Sequence, residues 1–261
     1  MGAKVKINTE NFKPYLDEYL ELYKKAPISD NTGGMKSPHL FNMFCLLKEV
    51  KPKLIIESGV WKGQGTWLFE NASPDARIIS FDPYLSRFVE YRSDKATYME
   101  NDFTKVDWEK FFSENEEYTT ENTMLFLDDH VSFIDRLNFL SNVPYFKKIV
   151  FEDNYPPSQG DCISPKKLIE SKTCITEKAG VKTEYTIPED DLLLFKETVS
   201  YYQELPPIFK PKNTRWGDSW DNYNTPDPLF EITEESNKTL VEEMYDYTWI
   251  AYLEINIKNE E

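Results

Sequence analysis

Arginine is scarce in this 261-residue chain. Only Arg77, Arg87, Arg92, Arg136 and Arg215 stand among 30 basic side chains, against 46 acidic ones. A formal net charge of −16 repels phosphate backbones and anionic lipid surfaces at long range, so neither nucleic acid nor membrane is an expected partner. Two-pronged recognition of any anion has to draw on those five guanidinium groups. Long apolar runs are missing as well. Runs such as residues 124–127 fall far short of the roughly 20 residues that cross a bilayer. No apolar leader follows the first Met, and a cytoplasmic protein is expected. Cysteine is limited to Cys45, Cys162 and Cys174, an odd set without the close pairing of a zinc site or a disulfide framework, which suits a reducing compartment. No internal repeat is present, and the one biased stretch is the acidic, polar segment 114–122.

What is present is enough apolar material, 40% hydrophobic and 15% aromatic, to bury the core of one domain. Residues 11–25 carry Phe12, Tyr15, Leu16, Tyr19, Leu20 and Tyr23 at helical spacing. Residues 37–49 read as a second helix, with Ser37 as its cap, Pro38 in its first turn and Pro52 beyond its end. Four short apolar runs come next, at 53–57, 76–81, 123–127 and 148–151. They have the pattern of strands buried on both faces, and a weaker third strand closes near Asn101 and Asp102. The stretches 64–71, 85–93, 108–113 and 134–140 supply helical crossovers between them. Such alternation predicts a Rossmann-like α/β fold: a doubly wound, mostly parallel sheet with helices on both faces. Residues 247–258 alternate like a long strand, expected as an antiparallel C-terminal edge strand. The chain then divides into N-terminal helices (1–50), a core (51–155), an insertion or lid (156–245) and the final strand (246–258). Within the insertion, residues 189–204 read as one helix. Trp216, Trp220 and Tyr223 lie in a loop that either closes over a cleft or covers the core.

Right-handed crossovers bring all the strand carboxyl ends to one edge, where ligand is expected. Those ends are acidic in every case: Glu57, Asp82, Asp102, the pair Asp128 and Asp129, and the pair Glu152 and Asp153. The first end opens into Gly59, Gly63 and Gly65, with a helix beginning at Thr66. Glycines let a ligand approach the backbone, and the helix amino terminus favours an anionic group. The spacing matches neither the dinucleotide fingerprint nor a phosphate-cradling loop.

The order Glu57, Gly59, Gly63, Gly65, with Asp82 ending the next strand, resembles the class I S-adenosylmethionine-dependent methyltransferases. The resemblance covers residues 50–155 and the last strand. It implies that Glu57, Gly59, Gly63, Gly65 and Thr66 surround the methionine part of the cofactor. Asp82 would take the ribose hydroxyls, for which a carboxylate offers paired acceptors; Asp102 sits where the family often contacts adenine, and Asp128 is a further cofactor-binding candidate. The strand-four and strand-five acids are similar to those of metal-dependent O-methyltransferases acting on macrolide sugars and of cephalosporin hydroxylase-like proteins. Carried over, the metal ligands are Asp128 or Asp129, with Glu152 and Asp153, for Mg²⁺.

Independently of the resemblance, up to four carboxylates converging must be neutralised by a cation, by a proton, or by splaying into solvent. His130 follows the acids immediately, whereas those families place a base histidine a few residues further on. It is base, ligand or neither. His39 has no carboxylate partner near it in sequence and reads as a satisfied helix residue. The polar stretch 154–164 lines the acceptor side or is a surface loop ordered by its prolines. Gly33, Gly34 and Met35 are candidates for the opposite wall.

The expected activity is O-methylation of a small polar acceptor such as a carbohydrate or nucleotide sugar. S-adenosylmethionine and Mg²⁺ are the expected cofactors, and His130, Asp128 and Asp129 are the residues placed at the chemistry. A homo-oligomer is compatible with this reading. Alternatives are another metal-dependent enzyme on the same scaffold, such as a hydroxylase or lyase, or a non-catalytic binding module.

Overall fold

The computed structural model describes residues 6–257. A sheet of seven strands runs through it in the order β3-β2-β1-β4-β5-β9-β8. Its members are β1 (Leu54–Ser58), β2 (Arg77–Phe81), β3 (Ala96–Met99), β4 (Thr123–Leu127), β5 (Lys148–Phe151), β8 (Val199–Glu204) and β9 (Ala251–Ile255). β1 to β5 are mutually parallel, with Ile56 level with Ile79 on one side and Leu125 on the other. β9 is antiparallel to β5, and β8 is antiparallel to β9. This is the expected doubly wound sheet, with its reversal beside β1.

Alternate side chains of each strand enter opposite faces. Ile55, Ile78, Met124, Phe126, Val150 and Tyr252 join one core, under α2 (Ser37–Val50) and α3 (Gln64–Ala72). Leu54, Ile56, Ile79, Leu125, Leu127, Ile149 and Leu253 join the other, beneath α5 (Trp108–Glu114), α6 (Phe133–Leu140) and α8 (Glu189–Thr198). Among the described residues, no helix is long and apolar enough to cross a membrane.

Several boundaries differ from expectation. The first helix is 3-10 over Thr9–Tyr15, around Pro14, and becomes α1 only at Leu16–Tyr23, because proline supplies no amide donor for an α-helical bond. Lys36, not Ser37, holds the cap position of α2, and the amide of Ser37 donates to Glu243 Oε2 at 2.9 Å. The cap therefore comes from α9 (Lys238–Glu243). Of the crossover expected at 85–93, only α4 (Leu85–Phe88) is helical, and the amides of Glu90 and Tyr91 donate to the carbonyl of Lys62.

The segment 189–204 is two elements. α8 ends at Thr198, and Val199–Glu204 is the strand β8, whose Val199 and Tyr202 pair with Ile255 and Leu253. Branched and aromatic side chains suit a strand once a partner is at hand. β8 lies outside β9, so the C-terminal antiparallel strand is one place in from the edge. β9 starts only at Ala251, since Trp249 takes the left-handed conformation, φ 66°; Lys258 lies outside the described residues. Between β5 and α8 the chain also forms α7 (Pro165–Glu170) and a separate hairpin of β6 (Thr173–Lys178) and β7 (Val181–Thr186). Trp220 is buried and packs with Tyr247 and Trp249 in the first core, while Trp216 and Tyr223 are half-buried beside them.

Candidate active site

Glu57, near the carboxyl end of β1, is 1% exposed. One oxygen, Oε2, accepts from Thr66 Oγ1 at 2.6 Å and Ser80 Oγ at 2.5 Å, while Oε1 has no partner. Burial pushes its pKa up to about 7, against those two hydroxyl bonds. Thr66 therefore supports Glu57 from within α3, which opens at Gln64 with Gly63 as its cap.

The three glycines have separate reasons. Gly59, φ 94°, leaves no room for a Cβ because the carbonyl of Asp128 fills that space, and Gly63, φ 100°, is closed in the same way by the carbonyl of Tyr91. Both are required by the chain's own close approach, and Gly59 also lines the adjoining pocket. Gly65 faces a pocket: a Cβ there would lie 2.7 Å from Glu57 Oε1 and 3.1 Å from Met35 Cε. Asp82 clamps the loop from β2, accepting from the amides of Val60 at 3.1 Å, Trp61 at 3.3 Å and Tyr84 at 2.7 Å.

The pocket is lined by this loop, by Asp128 and by Asn31, Gly34 and Met35. Of Gly33, Gly34 and Met35, the candidates for the opposite wall, the last two line this pocket and Gly33 is not among its lining residues. The indole of Trp61 donates to the Thr32 carbonyl at 3.2 Å, and Lys62 Nζ donates to the Asp30 carbonyl at 2.7 Å, fastening that wall. Three acceptors in the lining are buried without a partner: Asn31 Oδ1, Glu57 Oε1 and Gln64 Oε1. Asn31 is 6% exposed and Gln64 is 3% exposed. Neither stands out in the sequence, where the one available signal is that Gln64 lies between two loop glycines.

Asp128 and Asp129 point to different partners. Asp129 Oδ2 accepts from Ser58 Oγ at 2.6 Å and from Arg136 at 2.7 Å, and its Oδ1 accepts from the Val131 amide. Arg136 also grips Asp102 with two bonds, of 3.0 and 2.9 Å. Burial works against ionising Asp102, but the bonds from Arg136 and Thr104 hold its carboxyl below the usual range. Asp129, named as a metal ligand and a catalytic residue, is thus committed to Arg136, and so is the Asp102 carboxylate expected near the nucleoside. Sequence reading passes over this pairing of Arg136 with two strand-end acids; the scarcity of arginine is its only signal.

Asp128 instead meets the acids of β5. Asp128, His130 and Asp153 each offer a ligand atom, all within 4.8 Å of one another. Glu152 is close enough to Asp128 and Asp153 for their charges to act on one another. Burial, followed by the neighbouring negative charges, raises the pKa values of Asp128 and Glu152 well above the carboxylate range. A cluster of this kind needs a proton or a cation, and oxygen donors suit a hard divalent ion.

His130, half-exposed in the left-handed conformation, φ 54°, sets Nδ1 3.1 Å from Asp153 Oδ2 and 3.1 Å from Asp161 Oδ2. The Asp161 hydrogen bond, opposed by burial and reinforced by Asp153 and Asp128, pushes its pKa up to about 10. Asp161 belongs to the 154–164 stretch, and nothing local in the sequence marks it as the partner of His130. His39 is buried from α2 with Nδ1 on Glu152 Oε1 and Nε2 receiving the Thr248 amide at 3.1 Å. It is fully satisfied, through residues far away in sequence, and burial lowers its pKa to about 4.

No family model and no curated protein matches the chain. Among solved structures it is similar to CmcI with Mg and SAM, 18% identical over 49% of this chain and 58% of that one, TM-score 0.36. The chain therefore spans less than two thirds of that protein's length. It is similar to an SAH-bound methyltransferase from Podospora anserina, 13% identical over 59% of this chain and 74% of that one, TM-score 0.38. A protein assigned as an S-adenosylmethionine-dependent methyltransferase from Listeria monocytogenes is 10% identical over 86% of this chain and 100% of that one, TM-score 0.42.

Proposed function

We propose that the chain is an S-adenosylmethionine-dependent O-methyltransferase whose acceptor is a small polyhydroxyl compound, a carbohydrate or nucleotide sugar, assisted by a divalent cation such as Mg²⁺. One observation carries the reading. The pocket at the glycine loop presents three buried, unpartnered acceptors, Asn31 Oδ1, Glu57 Oε1 and Gln64 Oε1, and shares Asp128 with the carboxylate cluster next to it. Orphaned buried acceptors are costly unless a donor fills them. A primary ammonium with three N–H groups, as the methionyl end of the cofactor carries, fits that set. Asp82 retains acceptor capacity beyond its three amide bonds, which suits a ribose diol.

S-adenosylmethionine supplies an electrophilic methyl group. Mg²⁺, to which Asp128 and Asp153 would present oxygen atoms that lie close together, with Glu152 beside them, would supply Lewis-acid activation of a hydroxyl. The protein's own task is alignment and proton removal. His130, held on Nδ1 by Asp153 and Asp161 with its pKa pushed up to about 10, is a charged donor at neutral pH, so the acceptor proton passes to a carboxylate of the cluster as the new O–CH₃ bond forms and the S–CH₃ bond breaks, leaving a thioether. The acidic surface favours a small polar acceptor over polyanions.

The test is a thermal-shift titration with S-adenosylhomocysteine, followed by transfer of labelled methyl to a panel of nucleotide sugars with Mg²⁺ or with chelator. Binding raises the melting temperature with ligand concentration, and chelation suppresses transfer. No shift with the adenosyl compound overturns the assignment. A shift with no transfer to any sugar overturns the acceptor class.

A further inference from the structure

The hydrogen bonds of His39 define its protonation state. A backbone amide can only donate, and the amide of Thr248 points at Nε2 from 3.1 Å. Nε2 is therefore the bare nitrogen, and the ring proton of the neutral imidazole is on Nδ1, which faces Glu152 Oε1. Both side chains are almost wholly buried. Thr248 is itself fixed close to the end of β5, because the next carbonyl, that of Trp249, accepts from the Asn154 amide at 3.2 Å. Asn154 follows the two acids of β5 directly. One short segment thus braces both His39 and the strand end that carries Glu152.

The groups that act on the Glu152 charge are the acids Asp128 and Asp153 and the charged His130. Without His39, no neutral donor among these partners would set the rotation of its carboxylate. Groups that orient a metal-ligating carboxylate usually govern how well the ion is held.

We propose that His39 is a positioning residue: its Nδ1–H fixes Glu152 Oε1 and leaves the rest of that carboxylate directed to Asp128 and Asp153, so that α2 sets the cluster's grip on a divalent cation. The inference rests on the proposed binding of a cation by the cluster.

Two substitutions divide the ring's functions. His39→Asn keeps a donor near the Nδ1 position, and His39→Gln keeps an acceptor near the Nε2 position. Mn²⁺ binding to the full chain, followed by loss of the free-ion electron paramagnetic resonance signal, is the readout, with melting temperature measured alongside. Expected is a loss of about 10–100-fold in Mn²⁺ affinity for His39→Gln, with His39→Asn close to the parent protein. Equal affinity in all three proteins, or equal losses that follow melting temperature, overturns the role.

If either variant does not fold, the ¹⁵N imidazole spectrum of the parent protein decides, since the chain has only two histidines. The expected signal is an Nδ1-protonated tautomer perturbed by Mg²⁺; an Nε2-protonated one, or no response to bound Mg²⁺, overturns the assignment. Should the parent protein fail to bind Mn²⁺ while still binding S-adenosylhomocysteine, the cation reading falls and this inference with it, and the cofactor reading stands.

Discussion

Adjacent residues in an extended segment point to opposite sides, and the pair Asp128 and Asp129 divides accordingly. One carboxylate enters the cluster, and the other turns to Arg136, which also binds Asp102. Arg136 is buried, with its guanidinium group 4.9 Å from the centre of the Phe103 ring. Arg136→Met keeps the apolar contact but strands two acids, and a loss of about 3 kcal/mol is expected from urea unfolding at neutral pH. The pH dependence has a defined sign. Asp102 is held below its ordinary pKa, so its contribution is present above that value and is lost as acidification passes its lower folded pKa. Comparing the two proteins from about pH 6 down to about pH 2 should show the gap between them narrowing. A gap that widens on acidification would refute the pairing.

At the scale of elements, ends carry most of the information. α2 stops where Lys51 takes the left-handed conformation, φ 48°, with its amide donating to the Leu47 carbonyl at 2.9 Å. Glycine occupies this position at little cost, and Lys51 is exposed. Lys51→Gly is expected to raise stability by about 1 kcal/mol without changing ligand affinity; a lower melting temperature would contradict the cap geometry. The strands β1 and β4 were legible because short apolar runs, Leu54 to Ile56 and Met124 to Leu127, bounded by turn signals suit a strand covered on both faces. β8 was not. Its residues continue the helical spacing of α8, and only β9, distant in the chain, supplies the ladder that makes them a strand.

Across the whole molecule, the glycine-loop pocket and the acid cluster share Asp128 but otherwise use different residues. Their ligands should therefore be separable. Asp82→Ala is expected to weaken S-adenosylhomocysteine binding by about tenfold or more while leaving Mn²⁺ binding intact. Asp153→Asn should do the reverse, with calorimetry for one ligand and spin resonance for the other. Loss of both ligands in each variant would mean that the two sites form one cooperative unit.

The order of buried strands, the turn at Gly59 and the acids at the strand ends were determined by the sequence alone, because burial on two faces and left-handed backbone leave local marks in residue type. Which carboxylate faces the cluster, which glycines serve the chain's own packing, and the meeting of His39 with Glu152 were decided only by tertiary structure. Each depends on the direction of a side chain toward a partner tens of residues away, and no local pattern carries that direction.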